Sequence, residues 1–362
     1  MPAVAPRHVR RTRRPGRPRR PRGSTAVRRT GWLVAAALAL LAAVLLSLSV
    51  GSRPLAPGEV WHALLSGGGG GPGDGGHIAA QVVREMRLPR TLVGIMVGAA
   101  LGLAGAVLQG LTRNPIAEPG ILGISQGAAV AVVLAIAFAG VHTLAGYIWF
   151  AFAGAGLAAV VVYTIAARGR GGATPVKLAL AGAAINALLA SVVAAVLTTR
   201  AATLDEFRFW QIGSLSGRDA EIAAQIWPFL LVGIALVVRA ARGLDALALG
   251  DDVARGLGQN IAAVRITGGL GAAVLTGVAV AAAGPIAFVG LAVPHLARAL
   301  VGSGHRWLLP LSALLGPVIL LVSDVIGRVI FPPSEVPAGV MTALIGVPFL
   351  IALVRRSRVA AA

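Results

Sequence analysis

Apolar runs of about twenty residues, the length that crosses a bilayer as a helix, recur ten times along this chain. They lie at about 32–51, 91–111, 120–140, 144–167, 177–199, 222–240, 262–283, 286–302, 308–328 and 338–354. Few architectures accept that pattern. In hydrocarbon every backbone polar group needs a partner inside the protein, so only helices and closed barrels span. Continuous runs of this length specify helices. Only 12% of the residues are charged, against roughly a quarter in soluble domains, too few to cover a water-facing surface. The expected fold class is all-α: a polytopic membrane protein of about ten transmembrane helices. The run 286–302 is short and interrupted by Pro294.

The formal net charge of +19 suggests nucleic acid until its distribution is read. Eleven of the 32 Lys and Arg residues fall in the first 29 positions, RHVRRTRRPGRPRRPRGSTAVRR and its neighbours. That segment is rich in Pro and Arg and lacks apolar periodicity, so residues 1–31 are expected to be a disordered basic tail. No aromatic or folded module accompanies the charge, and no nucleic-acid partner is expected. Basic residues beside a first span stay in the cytoplasm, close to anionic membrane lipid. With the N-terminus inside, the connections after even-numbered spans should be basic. They hold Arg113, Arg168, Arg170, Lys177, Arg239, Arg242, Arg255, Arg265, Arg298 and Arg306, with Arg355, Arg356 and Arg358 at the end. Most acids fall in the other set, although Asp245, Asp251 and Asp252 lie inside and several arginines lie outside. The reading is a permease domain over 32–354 and a short tail over 355–362, with both termini cytoplasmic.

Chemistry is conspicuously missing. SGGGGGPGDGG (66–76) is a low-complexity loop, not a phosphate loop, because no Gly-Lys-Ser/Thr follows. Lys177 is the only lysine in the chain. If the protein uses ATP, another chain hydrolyses it. Cysteine is absent. His295 and His305 have no acid or histidine at ligand spacing, and no Ser-His-Asp arrangement or metal motif is evident. No catalytic residue, metal site or cofactor is expected.

Several short segments break the apolar runs. RNPIAEPG (113–120) follows the second run. Pro115 and Pro119 cannot donate the helical hydrogen bond and disfavour helix before them. Arg113 and Asn114 can supply donors to the end of one helix, and Glu118 sits near the start of the next. The segment is either a well-capped turn or an element that helps hold a gate. GPIAFVGLAVPH (284–295) has the same logic, with Gly284, Pro285 and Pro294, and falls on the opposite side by this topology. RLPR and SDVIGR set Arg87, Arg90 and Arg328 outside, where positive-inside statistics disfavour them. GLDALALGDDVARGLGQN (243–260) reads as two short helices broken at Gly250. Asp251 would cap the second and Asp252 lie in its first turn. Gly256 and Gly258 would end it, with Leu247, Leu249, Val253 and Leu257 on apolar faces.

The stretch REMRLPRTLVGIMVGAALGLAGAVLQGLTRNPIAEPGILGISQGAA (84–129) resembles the opening repeat of FecCD-type ABC importer permeases. The likeness continues through FWQIGSLSG (209–217), LALGDDVARGLG (247–258), GPIAFVGLAVPHLARALVGSGHRWLLPLSALLG (284–316), SDVIGRVI (323–330) and EVPAGVMTALIGVPFLIAL (335–353). The resemblance implies two halves of inverted topology, spans two to five and seven to ten. It implies import of ferric siderophore, haem or vitamin B12, with separate ATPase subunits, an external substrate-binding protein and a second permease subunit in a homo- or heterodimer. On this likeness Arg87, Arg90 and Arg328 dock glutamates of the binding protein, with snorkelling to lipid phosphate as the alternative. Leu247, Leu249, Gly250, Asp251, Asp252, Arg255, Leu257 and Gly258 form the segment that couples to the ATPase. The fifth span lines a pathway between two permeases, where Asn186 and Ser191 are its mid-helix polar groups; they either face the pathway or bond between helices. An ion-coupled transporter would need buried ionisable residues at mid-membrane, and the spans contain essentially none away from their ends.

Overall fold

The computed structural model describes residues 22–51, 55–65, 75–168 and 174–359. The basic tail up to residue 21 and positions 66–74 of the glycine tract lie outside them. Among the described residues there is no β-strand, only an isolated bridge between Phe331 and Ser334.

Helix α1 (Arg22–Ser49) begins ten residues before the expected edge of the first span. A short α2 (Pro57–Leu65) follows. Then α3 (Gly75–Gln81), a π turn over Val82–Arg87 and α4 (Leu88–Thr112) run on as one rod. The chain continues through α5 (Ile124–Ala139), α6 (Leu144–Ala167), α7 (Pro175–Thr199) and a short α8 (Ala201–Gln211). After α9 (Ala220–Leu247) and the six-residue α10 (Asp251–Gly256) come α11 (Ile261–Ala283), α12 (Val289–Val301), α13 (His305–Val329) and α14 (Ala338–Val359). All ten expected spans are present as helices. Seven are long and apolar enough to cross a membrane; the apolar stretches at 124–139, 289–301 and 338–348 are shorter. The short helix α10 matches the expectation after Gly250, whereas α2, α3 and α8 have no counterpart among the expected elements.

Helix α1 starts and α14 finishes at one end of the bundle, here called proximal; the other end is distal. Two quartets repeat a pattern. In α4–α7 a long helix is followed by a non-helical break, a short helix and two long ones, and α11–α14 does the same. The quartets run in opposite senses: α4 starts distally, beside the end of α13, whereas α11 starts proximally, next to α10. This is the inverted-repeat architecture found in transporters.

Helix α4 is the axis. Of its most apolar 18-residue window 78% is buried, against 17% for α7. In lipid, helices associate by close van der Waals packing, which small residues permit. On α4 the glycines at 98, 102 and 105 face partner backbone directly. A Cβ at Gly98 would run into Gly316 and Pro317, one at Gly102 into the Ser312 carbonyl, and one at Gly105 into the Gly290 carbonyl. Helix α7, by contrast, leaves Leu180 and Leu188 exposed, so its outward face has no partner among the described residues.

Candidate functional site

The two breaks were expected on opposite sides of the membrane. Their ends do start on opposite sides, but the segments meet inside the bundle. Glu118 Oε1 accepts a hydrogen bond from the Phe288 backbone N–H at 3.0 Å. A Cβ on Gly290 would lie 2.9 Å from Pro119 Cδ. Gly290 in turn sits against Gly105, seven residues or about 10 Å up α4 from its proximal end. The reason is the prolines and glycines themselves. Pro115 and Pro119 forbid the helix from restarting at once, so the chain climbs back into the bundle before a 3₁₀ turn, Pro119–Leu122, opens α5. From the distal side Gly284 and Pro285 end α11, and the chain descends to Phe288 before α12 begins. Broken backbone at this depth is tolerated only where protein or water satisfies it. Glu118 serves that need, capping α12 of the opposite half and not α5 as its position suggested. Pro294 lies within α12, not at a turn. It cannot donate to the Gly290 carbonyl, the group that faces Gly105.

Gln109 and Asn186 complete the junction. Gln109 Nε2 donates to the Leu291 carbonyl at 3.2 Å, and its Oε1 accepts from Arg298 at 3.0 Å. Asn186 Nδ2 donates to the Gly120 carbonyl at 3.0 Å, tying α7 to the first break. Asn186 is thus an interhelical partner. Ser191 bonds back to Ala187 of its own helix and faces outward. Among the described residues, the non-glycines with left-handed backbone are Arg113 and Phe288, one in each break. Such a conformation is uncommon for side-chain-bearing residues and persists only where the surroundings hold it, often at functional sites.

The proximal end of the first break carries a second set of ties. Arg113 takes the left-handed position that ends α4. The Asn114 N–H returns to the Gln109 carbonyl at 3.2 Å, and Asn114 Oδ1 accepts from the Ile116 N–H. The turn is therefore well capped. The Arg113 side chain leaves it and pairs with Asp251 at the start of α10. Arg265, in the second turn of α11, pairs with the same carboxylate at 2.8 Å. Asp251 does not cap α10, as its position had suggested; two arginines from opposite halves hold it. Gly250, at φ 104°, opens the helix, and Gly258, at φ 76°, closes the segment. The expected first short helix is the end of α9, where Leu247 is buried. Leu249, Val253 and Leu257 are at least half exposed, an apolar row on the tip of the bundle. Asp252 pairs with Arg255 at 2.9 Å, both exposed. Asp245, another acid on this basic side, accepts from the His305 backbone and ring at 2.9 and 2.7 Å, fastening α9 to the start of α13.

At the distal end Arg87, Arg90 and Arg328 do come together, but two of them face inward. Arg87, 6% exposed, donates to the carbonyls of Leu48 and Ser49 at 2.7 and 2.8 Å. Arg328, 3% exposed, pairs with Asp324 and donates to the Ser47 carbonyl at 2.8 Å. Arg90 grips Asp324 with two nitrogens, at 3.0 and 2.7 Å, and reaches Glu335 at 2.8 Å. The expected fork toward an outside partner is thus spent within the chain, with Arg90 nearest the surface. Nearby, Arg218 is buried and burial pushes its guanidinium down to about 10, opposed by Asp219. Over the same face α8 is fastened to α6: the Tyr147 hydroxyl donates to Glu206 Oε1, and His142 Nδ1 lies 2.9 Å from Oε2. Burial would raise the Glu206 carboxyl, but the Tyr147 and His142 hydrogen bonds outweigh it and hold the group below its ordinary value.

Sequence reasoning missed Glu118–Phe288, Gln109–Arg298 and Glu206–Tyr147, all long-range pairs with no local signature. Among the described residues no group of His, Cys, Asp and Glu is placed to hold a metal ion.

Comparison with known proteins fits this arrangement. The FecCD transport family model matches residues 39–356. The iron(3+)-hydroxamate import system permease protein of Bacillus subtilis (strain 168) is 41% identical over 326 residues, covering 90% of this chain and 83% of that protein. The ferric enterobactin transport system permease protein of Escherichia coli (strain K12) is 41% identical over 334 residues, 92% of this chain and 98% of that one. A solved inward-facing conformation of an ABC transporter described as metal-chelate type superposes with a TM-score of 0.78 at 29% identity, covering 90% and 98% of the two chains.

Proposed function

This chain belongs to the FecCD transport family, and on that premise we propose that it is the permease subunit of an ATP-binding-cassette importer carrying ferric siderophore across the bacterial cytoplasmic membrane. The proximal, arginine-rich end faces the cytoplasm, in keeping with the positive-inside rule. Two ATPase subunits bind there, each taking one α10, with its exposed Val253 and the flanking Leu249 and Leu257, into an apolar groove. A second permease, identical or related, packs against the outward face of α7, and the chelate passes between the two. A substrate-binding protein docks distally around Arg90 and Glu335, with Arg87 and Arg328 fixing that surface from behind. The permease itself breaks no covalent bond.

The observation that carries this reading is the double grip on Asp251. A displacement of α10 by the ATPase pulls on Arg113 and Arg265 together. Arg113 ends α4 and opens the break that leads, five residues on, to Glu118 and the cap of α12. Motion at the coupling helix thus reaches the point where both halves are broken. A few kilocalories are enough to move such an element between two states, and the two left-handed residues are where the backbone can give.

The test is radio-iron uptake from a panel of ferric siderophores, in cells with and without this chain, energised or depleted of ATP. ATP-dependent uptake of one siderophore that disappears with the chain, and returns with the wild type but not with Leu257→Glu, supports the reading. Iron uptake unaffected by the chain, with cobalamin or haem uptake lost instead, would overturn the substrate and leave the permease.

A further inference from the structure

A groove of about 700 Å³ runs between α6, α9 and α11, reaching the end of α4. That is within the range of small-molecule sites, roughly 300–1,000 Å³. Its walls are apolar: Phe152 and Gly156 from α6, Phe229 from α9, Gly269 and Leu270 from α11. Gly156 and Gly269 leave its floor open, since a Cβ on either would meet nothing within 4 Å. The charge is at one end, where Arg265 lines the groove with Thr112, Tyr163 and Thr164; Trp149 lies toward the other. From Arg265 to Gly277, at the far end, is twelve residues of α11, about 18 Å. That is a little over half of a hydrocarbon core of about 30 Å, the depth of one leaflet.

We propose that this groove holds an acyl chain of an anionic glycerophospholipid from the proximal leaflet, with the lipid phosphate against Arg265. Charge supports the choice. Arg265 and Arg113 share the single carboxylate of Asp251, so one positive charge is left over at the mouth. Arg168 and Lys177 add to it: the Lys177 ammonium donates to the Arg168 carbonyl, and Leu178, the next residue, lines the groove. Arginine is suited to a phosphate because its planar fork can bond two oxygens. A second copy of the chain is the rival occupant. In a two-fold dimer within a membrane the proximal ends lie level, so it would bring a like-charged end to a basic mouth. The site also adjoins the coupling helix, because the arginine that would hold the phosphate also holds Asp251.

Native mass spectrometry on the full-length chain in detergent, titrated with phosphatidylglycerol or phosphatidylcholine of matched chains, tests this. One phosphatidylglycerol per chain should be retained, roughly fivefold more tightly than phosphatidylcholine, the difference expected from one basic side chain near a lipid charge. Arg265→Gln should erase the preference and leave the weaker binding. Gly269→Leu should displace the retained lipid of either kind while leaving the thermal midpoint of the lipid-free chain unchanged. Equal retention of the two lipids, or retention untouched by Gly269→Leu, would overturn the proposal. So would a chain that is dimeric without lipid and becomes monomeric on Gly269→Leu, which would make the groove an interface between copies.

Discussion

The two ends of the bundle are both held by arginine–aspartate contacts, yet they are built in opposite ways. At the distal end Asp324 is fully buried between Arg90 and Arg328, and the arginines spend their remaining donors on α1 and Glu335. At the proximal end Asp251 is a quarter exposed and Arg113 40% exposed in side-chain terms. Buried charge is expensive to leave unpaired; exposed pairs contribute little and rearrange cheaply. The distal contacts therefore act as a latch that fixes four segments, and the proximal ones as a tie that transmits position without resisting movement. On the function proposed above, a transporter that moves at its coupling end and keeps a fixed docking face would use both.

The largest expected effect is at the latch. Asp324→Ala leaves the buried Arg328 without a carboxylate and Arg90 with Glu335 alone, and should cost about 3–5 kcal/mol, read as a collapse of the thermal midpoint and of folded yield. A variant of near-normal stability would erase the distinction between the ends. Next comes the mid-membrane cap. Glu118→Ala strips the Phe288 N–H of its acceptor, a loss of about 1–3 kcal/mol. Insertion should survive while uptake falls, and single cysteines introduced into this cysteine-free chain should change their labelling on both faces. Labelling altered on one face alone would mean that the breaks are not linked. The proximal pair should give a smaller stability change than either of these. In an Arg113→Ala, Asp251→Asn double-mutant cycle the coupling energy should be under about 1 kcal/mol, yet transport should drop severalfold. A coupling as large as that at Asp324 would make the tie a second latch.

The smallest effect is one of pH. The folded Glu206 carboxyl sits below its usual value, so its ionised form favours attachment of α8. That contribution is fully present above the ordinary glutamate range, near 4.3, and is lost as pH falls through the lowered folded value. Hydrogen exchange of α8, taken relative to the unfolded-chain rate at each pH, should thus be flat from about pH 8 to 5 and rise only in stronger acid. Glu206→Gln should remove the rise; an unchanged profile would place the titrating group elsewhere.

Much of the fold was legible because hydropathy is local. Each of the ten spans is written in its own twenty residues, and Pro115, Pro119, Gly284 and Pro285 mark the breaks without help from anything distant. The count of spans also placed Asp251 and Arg113 on one side, although Asp251 is an exception to the charge pattern. What could not be read is how far a broken segment travels after it breaks. RNPIAEPG is compatible with a surface turn or a re-entrant path, and the choice rests on Gly105 and Gly290 being small in two helices 185 residues apart. Arg87 and Arg328 sit deeper than expected for a related reason. Exposure at a membrane edge was inferred from span boundaries, whereas α1 curls its last carbonyls over Arg87 and Arg328. The resemblance singled out residues 247–258, but only the geometry joins them to the break.

The latch also has a history in the making of the chain. Arg87 finds its carbonyl partners in residues made before it, at Leu48 and Ser49. Arg90 must wait for Asp324 and Glu335, which emerge 234 and 245 residues later. At about 5–20 residues per second that is a delay of tens of seconds. Throughout it α4 carries an unmatched cation at the membrane surface, and α1 lacks its tie to α13 through Arg328. A ribosome that stops before α13 leaves both exposed, so completion of synthesis is recorded at the distal surface in the moment that Asp324 arrives.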